Sequence, residues 1–143
     1  MSVKQVSVFL ENKPGSLAEM TKVLADNNID MRAFSLAETS EFGIARMIVD
    51  NLYSTSTVLK EAGYVQTVSS VLAVAIPDVP GGLNQVLNIL TAEQINIEYM
   101  YAFLGAKKDS AYMIFKVTSH HKAADALRAA GIRLVDQDEL AEM

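Results

Sequence analysis

The stretch Val8-Phe9-Leu10-Glu11-Asn12-Lys13-Pro14-Gly15-Ser16-Leu17 recurs, with changes, as Val74-Ala75-Ile76-Pro77-Asp78-Val79-Pro80-Gly81-Gly82-Leu83. Each copy passes from an apolar, strand-like segment through a Pro-Gly pair to a leucine. The offset of 66 residues holds without a gap from residues 6–50 to residues 72–116, and it becomes 68 where Gly63 meets Gly131. Self-similarity at a fixed spacing indicates a repeated structural unit. The chain is therefore predicted to contain two units, residues 1–70 and residues 71–143.

The first unit begins with the pattern of a strand, a helix and a hairpin. Residues 3–10 alternate between apolar and polar side chains, as a half-buried strand does. Ser16 and Glu19 match a capping box, which predicts a helix that begins at about Ser16. Residues 29–37 and 42–49 predict the two strands of a hairpin, because both are rich in β-branched, aromatic and methionine residues.

A second helix and a fourth strand complete the unit. The helix is predicted over residues 54–62, with a serine or threonine near its cap and Gly63 at the position where helices often end in a left-handed residue. Residues 64–70 predict the fourth strand, and residues 71–76 predict the first strand of unit two. Unit two repeats the order, with a hairpin turn at residues 105–109 and Gly131 after its second helix.

The order βαββαβ, found twice, is that of ferredoxin-like α+β folds. In such a fold two helices cover one face of a four-stranded antiparallel sheet. No linker separates the two predicted units, so we expect their sheets to join side by side, which also protects strand edges from aggregation.

The composition is that of a globular protein. Half of the 143 residues are hydrophobic, and 12 basic against 17 acidic residues give a net charge of −5. Nucleic acids and anionic membranes are poor partners for such a chain, since both require clustered Lys and Arg. The absence of cysteine excludes thiol catalysis, Cys-ligated zinc and iron–sulfur clusters. Residues 1–9 lack a signal-peptide pattern and no apolar run approaches the ~20 residues of a spanning helix, so we expect a soluble cytoplasmic protein.

The repeated motif resembles that of ACT domains, and the resemblance covers both units. It consists of the strand, the polar loop residue, Pro-Gly and leucine, followed downstream by Ile-Asp-Met at residues 29–31 or Ile-Asn-Ile at residues 95–97. The resemblance implies a module that senses small molecules, most often amino acids, and regulates metabolic enzymes. It also implies that the ligand lies at the loop between the first strand and the first helix, against the second strand of a neighbouring unit.

The chemistry of this loop favours the same kind of ligand. The N–H groups and partial positive charge at a helix N-terminus can hold a carboxylate, and a glycine there removes a Cβ that would keep a ligand from the backbone. Asn and Asp side chains on the loop and on the second strand can accept hydrogen bonds from an ammonium group. The alternative for each Pro-Gly is a plain turn between strand and helix. The candidate ligand-binding residues are Asn12, Lys13, Pro14, Gly15, Ser16, Leu17, Asp30, Met31, Asp78, Val79, Pro80, Gly81, Gly82, Leu83, Asn96 and Ile97.

The two predicted sites are not equivalent. If loop and facing strand come from different units, one site pairs Asn12 with Asn96, and the other pairs Asp78 with Asp30. Two facing carboxylates either bind an ammonium group strongly or repel each other unless a cation lies between them. We therefore favour the site with Asn12 and Asn96 for a zwitterionic amino acid.

The sequence departs from the serine-sensing members of the family. Those members carry a histidine two residues before the loop asparagine, where this chain has Leu10 and, in unit two, Ile76. Large apolar side chains on the predicted second strands favour a ligand with an apolar or aromatic side chain, unless they pack in the core: Met31, Phe34, Tyr99 and Tyr101.

The sequence favours a regulatory function over catalysis. It contains no GxGxxG, Walker or HExxH motif and no pattern that indicates a cofactor, and the adjacent His120 and His121 do not form an i, i+4 ligand pair. An RNA-binding domain of this fold would need exposed aromatic residues on a basic strand, which residues 45–49 and 111–115 do not supply. Two functions remain: an amino acid sensor, or a regulatory subunit that acts mainly through protein contact with an amino acid biosynthetic enzyme. In both cases we expect a homo-oligomer, most simply a dimer.

Overall fold

The computed structural model describes residues 3–38, 41–103 and 110–142. Its elements are β1 (Val3–Glu11), α1 (Ser16–Asp26), β2 (Met31–Glu38), β3 (Phe42–Val49), α2 (Leu52–Glu61), β4 (Val65–Pro77), α3 (Gly82–Ala92), β5 (Ile97–Ala102), β6 (Ser110–Val117), α4 (His120–Ala129), β7 (Arg133–Val135) and α5 (Gln137–Glu142). The predicted hairpin turn at residues 105–109 lies outside the described residues. The order βαββαβ is confirmed in both units, and a short helix, α5, follows the second.

One long strand, β4, joins the two units. The two strands predicted over residues 64–70 and 71–76 form a single strand of 13 residues. Its first half, residues 65–71, pairs with β1, and its second half, residues 72–77, pairs with β6, while residues 73–75 also pair with β7. The described strands are antiparallel, in the order β2-β3-β1-β4-β6-β5. The α+β fold of two joined ferredoxin-like sheets is therefore confirmed, and the boundary proposed after residue 70 falls inside the shared strand.

Each face of the sheet has a core of its own, because successive side chains of a strand point to opposite faces. On one face of unit one, Val6 and Val8 of β1 pack with Met20 and Leu24 of α1. Helices α3 and α4 build the equivalent core of unit two. The helices thus cover one face of each four-stranded sheet, as predicted.

The opposite, helix-free faces of the two units pack against each other in a third core. Ile48 of unit one lies there with Tyr101 and Ile114 of unit two, and Leu140 of α5 is fully buried beside them. The sheet curls far enough for its terminal strands to meet, since an antiparallel bridge joins Ala33 of β2 to residue 103, just after β5. The interior between the units is therefore closed by strands on all the sides that the structure describes.

A polar cluster lies inside this third core. The hydroxyl of Tyr101 donates to Oε1 of Gln5 at 2.6 Å, and Nε2 of Gln5 donates to the hydroxyl of Tyr99 at 2.7 Å and to Oγ of Ser7 at 3.2 Å. The guanidinium of Arg46 lies over the Tyr99 ring, 3.8 Å from its centroid, a cation–π contact. Gln5, which is fully buried, thus has partners from both units, as a buried amide requires.

Two predicted helix caps are wrong. α1 begins at Ser16 as expected, but its N-cap is Gly15, and no side chain of the described residues caps it. The predicted capping box does not form because Ser16 already lies in the first helical turn. α2 is capped by Asn51, whose side chain accepts a hydrogen bond from Ser54 N at 3.0 Å, and not by a serine or threonine.

Strand register places the two-residue insertion of unit two earlier than the sequence alignment does. Ala33 pairs with Ile48 in unit one, and Tyr99 pairs with Lys116 in unit two. The first members of these pairs differ by 66 residues and the second members by 68, so the insertion lies between β5 and β6. Three identities of the ungapped alignment are therefore not structurally equivalent: Ala45/Ala111, Met47/Met113 and Ile48/Ile114.

Candidate functional site

Backbone hydrogen bonds hold the loop between β1 and α1 in unit one. Asn12 N donates to Glu41 O at 3.1 Å, and Ser16 N donates to Lys13 O at 3.3 Å. Gly15 has a φ of 90°, in the left-handed region, and no atom lies within 4 Å of the place where its Cβ would stand. The exposed amino end of α1 without a side-chain cap is an arrangement that accepts an anion.

The loop of unit two has the same turn but a tighter approach. Gly81 has a φ of 87°, and the Gly82 position is buried. A Cβ on Gly82 would overlap the carbonyl oxygen of Pro77 and would lie 3.2 Å from Cγ2 of Ile76. The prediction that Gly82 leaves room for a ligand is therefore wrong, because the protein's own backbone fills that space. The neighbouring candidates are exposed at the surface: Asp78, Val79, Pro80, Gly81 and Leu83.

Two cavities flank the loop of unit one. The larger, of about 270 Å³, lies between the loop and the segment that enters β4, and the smaller, of about 60 Å³, lies between the loop and the β2–β3 hairpin. The larger is lined by Phe9, Leu10, Glu11, Lys13, Ser16, Glu19, Gly63, Tyr64 and Val65. The smaller is lined by Leu10, Glu11, Asn12, Lys13, Ser16, Leu17, Leu36, Glu38 and Gly43. Four predicted site residues therefore line one cavity or both: Asn12, Lys13, Ser16 and Leu17.

Charges of both signs lie at the larger cavity. Nζ of Lys13 lies 3.0 Å from Oε2 of Glu11. The hydrogen bond from Lys13 to Glu11 and the negative charge of Glu11 raise the pKa of Lys13 above its usual 10.5, and Glu19 adds to the effect. An ammonium group and two carboxylates beside one cavity match the two charges of a zwitterion.

The predicted acceptors on the second strands occupy equivalent places in the two units. Asp30 N donates to Oδ1 of Asp50 at 3.1 Å, and Asp50 N donates to Asp30 O at 3.1 Å. Asn96 N donates to Oγ1 of Thr118 at 3.3 Å, and Thr118 N donates to Asn96 O at 3.1 Å. The described walls of both cavities come from unit one, so neither cavity joins Asn12 to Asn96 within one chain.

The large apolar side chains that favoured an apolar ligand lie in the cores. Met31 and Phe34 pack against the helix-side core of unit one. Tyr101 is part of the core between the units, and Tyr99 packs against it.

The apolar wall of the larger cavity has a different source. It includes Phe9, Tyr64 and Val65, which the sequence analysis did not select. Phe9 could have been found from its place on the helix-free side of the alternating strand β1, and Tyr64 from its place after the helix-ending Gly63.

Other features of the described residues are unremarkable for chemistry. His120 and His121 start α4 with their rings edge to face, 5.7 Å apart. No group of three or more His, Asp and Glu side chains in the described part of the chain could hold a metal ion. None of the described helices is long and apolar enough to cross a membrane.

Comparison with known proteins gives one family match and several structural likenesses. The chain matches the family described as the ACT domain pair over residues 1–143. It is 36% identical to protein BT0572 from Bacteroides thetaiotaomicron, with a TM-score of 0.93 over 100% of this chain and 98% of that chain. No curated protein matches the chain.

Two further likenesses, both below 25% identity, show the fold alone. The ligand-free regulatory subunit of aspartate kinase from Thermus thermophilus is 18% identical, with a TM-score of 0.65 over 88% of each chain. Aspartate kinase from Synechocystis is 19% identical, with a TM-score of 0.59 over 98% of this chain and 26% of that chain.

Proposed function

Since this chain belongs to the ACT domain pair family, we propose that it is a regulatory protein that binds an amino acid at the β1–α1 loop of unit one. The observation that carries the proposal is the larger cavity, where Lys13, two carboxylates and an apolar wall meet beside the uncapped amino end of α1. We also propose that the protein acts in the cytoplasm as a homodimer and is not an enzyme.

The charges at the cavity define how the ligand would lie. Its carboxylate would face Lys13 and the amino end of α1, where the helix dipole favours negative charge. Its ammonium group would face Glu11 or Glu19. Its side chain would then contact Phe9 and Tyr64, which supports a ligand with an apolar or aromatic side chain.

The size of the cavity supports a small ligand. Pockets for drug-sized molecules measure roughly 300 to 1,000 Å³, whereas this cavity measures about 270 Å³. A single amino acid is a suitable occupant. The pairing of Asn12 with Asn96 stays a prediction, and it would need a second copy of the chain.

Thermal unfolding with each proteinogenic amino acid at millimolar concentration tests the proposal. A ligand at 100 times its dissociation constant stabilises a protein by about 2.7 kcal/mol. At roughly 2 to 4 °C per kcal/mol for this size of protein, the midpoint should rise by about 5 to 11 °C with one apolar or aromatic amino acid.

A pair of lysine variants makes the test specific for the site. Lys13→Met should abolish the rise in midpoint, because it removes the cation that faces the ligand carboxylate. Lys22→Met is the matched control, since Lys22 lies further along α1 and pairs with Asp26. A flat panel with wild-type protein, or an undiminished rise with Lys13→Met, would contradict the proposal. A flat panel would also favour the second function, a regulatory subunit that acts through contact with an amino acid biosynthetic enzyme.

A further inference from the structure

The first half of β4 has an open edge. Residues 65–71 pair with β1, and within the described residues no other strand pairs with them. In contrast, residues 73–75 of the same strand pair on both sides, with β6 and with β7. The open edge therefore presents backbone N–H and C=O groups that a further strand can pair with.

This edge lacks the features that normally protect an edge strand. Residues 62–77 contain no charged side chain in a chain with a net charge of −5, and residues 65–71 contain no proline. The pairing of residues 65–71 with β1 shows no register shift. Val65 is 66% exposed and Val68 is 47% exposed, and Tyr53 of α2, at 83%, lies beside Val68. Natural edge strands are usually short, charged, bulged or covered, so this edge is suited to being covered.

We propose that the open edge of β4 pairs antiparallel with the same edge of a second copy of this chain, with the two-fold axis near Thr67 and Val68. A two-fold axis places the same surface patch on both chains, and this segment meets its own copy without any like-charge contact. A charged peptide would find no complementary side chain on it. The pairing would also extend the sheet that β4 already joins between the two units.

The arrangement brings the second chain to the candidate site. β1 and the segment after β7 lie on one side of β4, as the hydrogen bond from Lys4 N to Oε1 of Gln137 shows, so β6 lies on the side of the open edge. A strand that pairs along that edge would end beside the end of β6, where Thr118 is bonded to Asn96. Tyr64, which lines the larger cavity, would thus approach the Asn96 region of the other chain. This last step rests on the proposed function, whereas the strand pairing does not.

Molar mass in solution without any ligand tests the pairing. Sedimentation equilibrium of the wild-type protein should give twice the chain mass of 15.6 kDa. Val68→Lys places two like charges close to the axis, which destabilises a strand pair, and its mass should fall by half while its circular dichroism stays that of the wild type. Val79→Lys is the matched control, since Val79 is 61% exposed in unit two, and it should remain a dimer. A monomeric wild-type protein, or a dimer that Val68→Lys leaves intact, would overturn the pairing.

Hydrogen exchange gives a second readout that needs no variant. The amides of residues 65–69 that point to the open edge should exchange slowly at high protein concentration and quickly after dilution below the dissociation constant. Equal exchange at both concentrations would overturn the pairing even if Val68→Lys does not fold. Because neither measurement contains a ligand, its failure would leave the amino acid proposal to its own test.

Discussion

Tyr101→Phe tests whether the polar contact between the two units stabilises the fold. The hydroxyl of Tyr101 donates to Oε1 of Gln5 at 2.6 Å, and Tyr101 is only 8% exposed. Phenylalanine keeps the ring but leaves this fully buried acceptor without that donor. An unsatisfied buried polar group costs about 1 to 3 kcal/mol, and we expect the free energy of unfolding to fall by that amount.

Equilibrium unfolding in urea at pH 7, followed by circular dichroism, measures this loss. Tyr53→Phe is the matched control, because Tyr53 is 83% exposed and surface changes usually stay within about 0.5 kcal/mol. The double variant Gln5→Leu/Tyr101→Phe should lose less than the sum of the two single variants, since it removes donor and acceptor together. A loss below about 0.5 kcal/mol for Tyr101→Phe would refute the reasoning.

Two further predictions concern alkaline pH and the loop of unit two. Burial raises the pKa of Tyr101 above its ordinary value of 10.0, so the unfolded chain ionises first and the protein should lose stability as the pH rises above about 10. Melting temperatures from pH 8 to 11 should fall less for Tyr101→Phe than for the wild type, and parallel curves would contradict this. Gly82→Ala should cost about 1 to 3 kcal/mol or more because its Cβ would overlap the Pro77 carbonyl. Gly81→Ala, which meets open space, should cost about 1 to 2 kcal/mol for its left-handed backbone alone, and urea unfolding that ranks the two the other way would contradict the packing argument.

The repeat and the residue periodicity were enough to predict the fold class, because both are local properties of the sequence. The alternation in residues 3–10 and the apolar spacing of the helices placed most elements within a few residues of their positions in the structure. The caps were harder, since Gly15 and Asn51 compete with Ser16 and with the Ser and Thr residues of α2 as neighbours of similar suitability. The insertion was misplaced because three chance identities favoured the wrong gap.

The contacts between the units could not be read from local patterns. Gln5 looks like the polar member of an alternating strand, and its burial depends on the helix-free face of the other unit. For the same reason Tyr99 and Tyr101 were assigned to a ligand pocket, although they pack between the sheets. The loop itself was predicted, but its apolar wall includes Tyr64 and Val65, which are far from the loop in sequence and adjacent only after β4 pairs with β1.

The shared strand β4 also affects how the protein can come apart. In most two-domain proteins a linker lets one domain unfold while the other stays intact. Here the last strand of one sheet continues directly as the first strand of the next, so melting either unit would unpair part of a strand that the other unit needs. The two halves of the duplication are therefore expected to unfold as one cooperative body, in which the slowest-exchanging amides extend along β4 through both units.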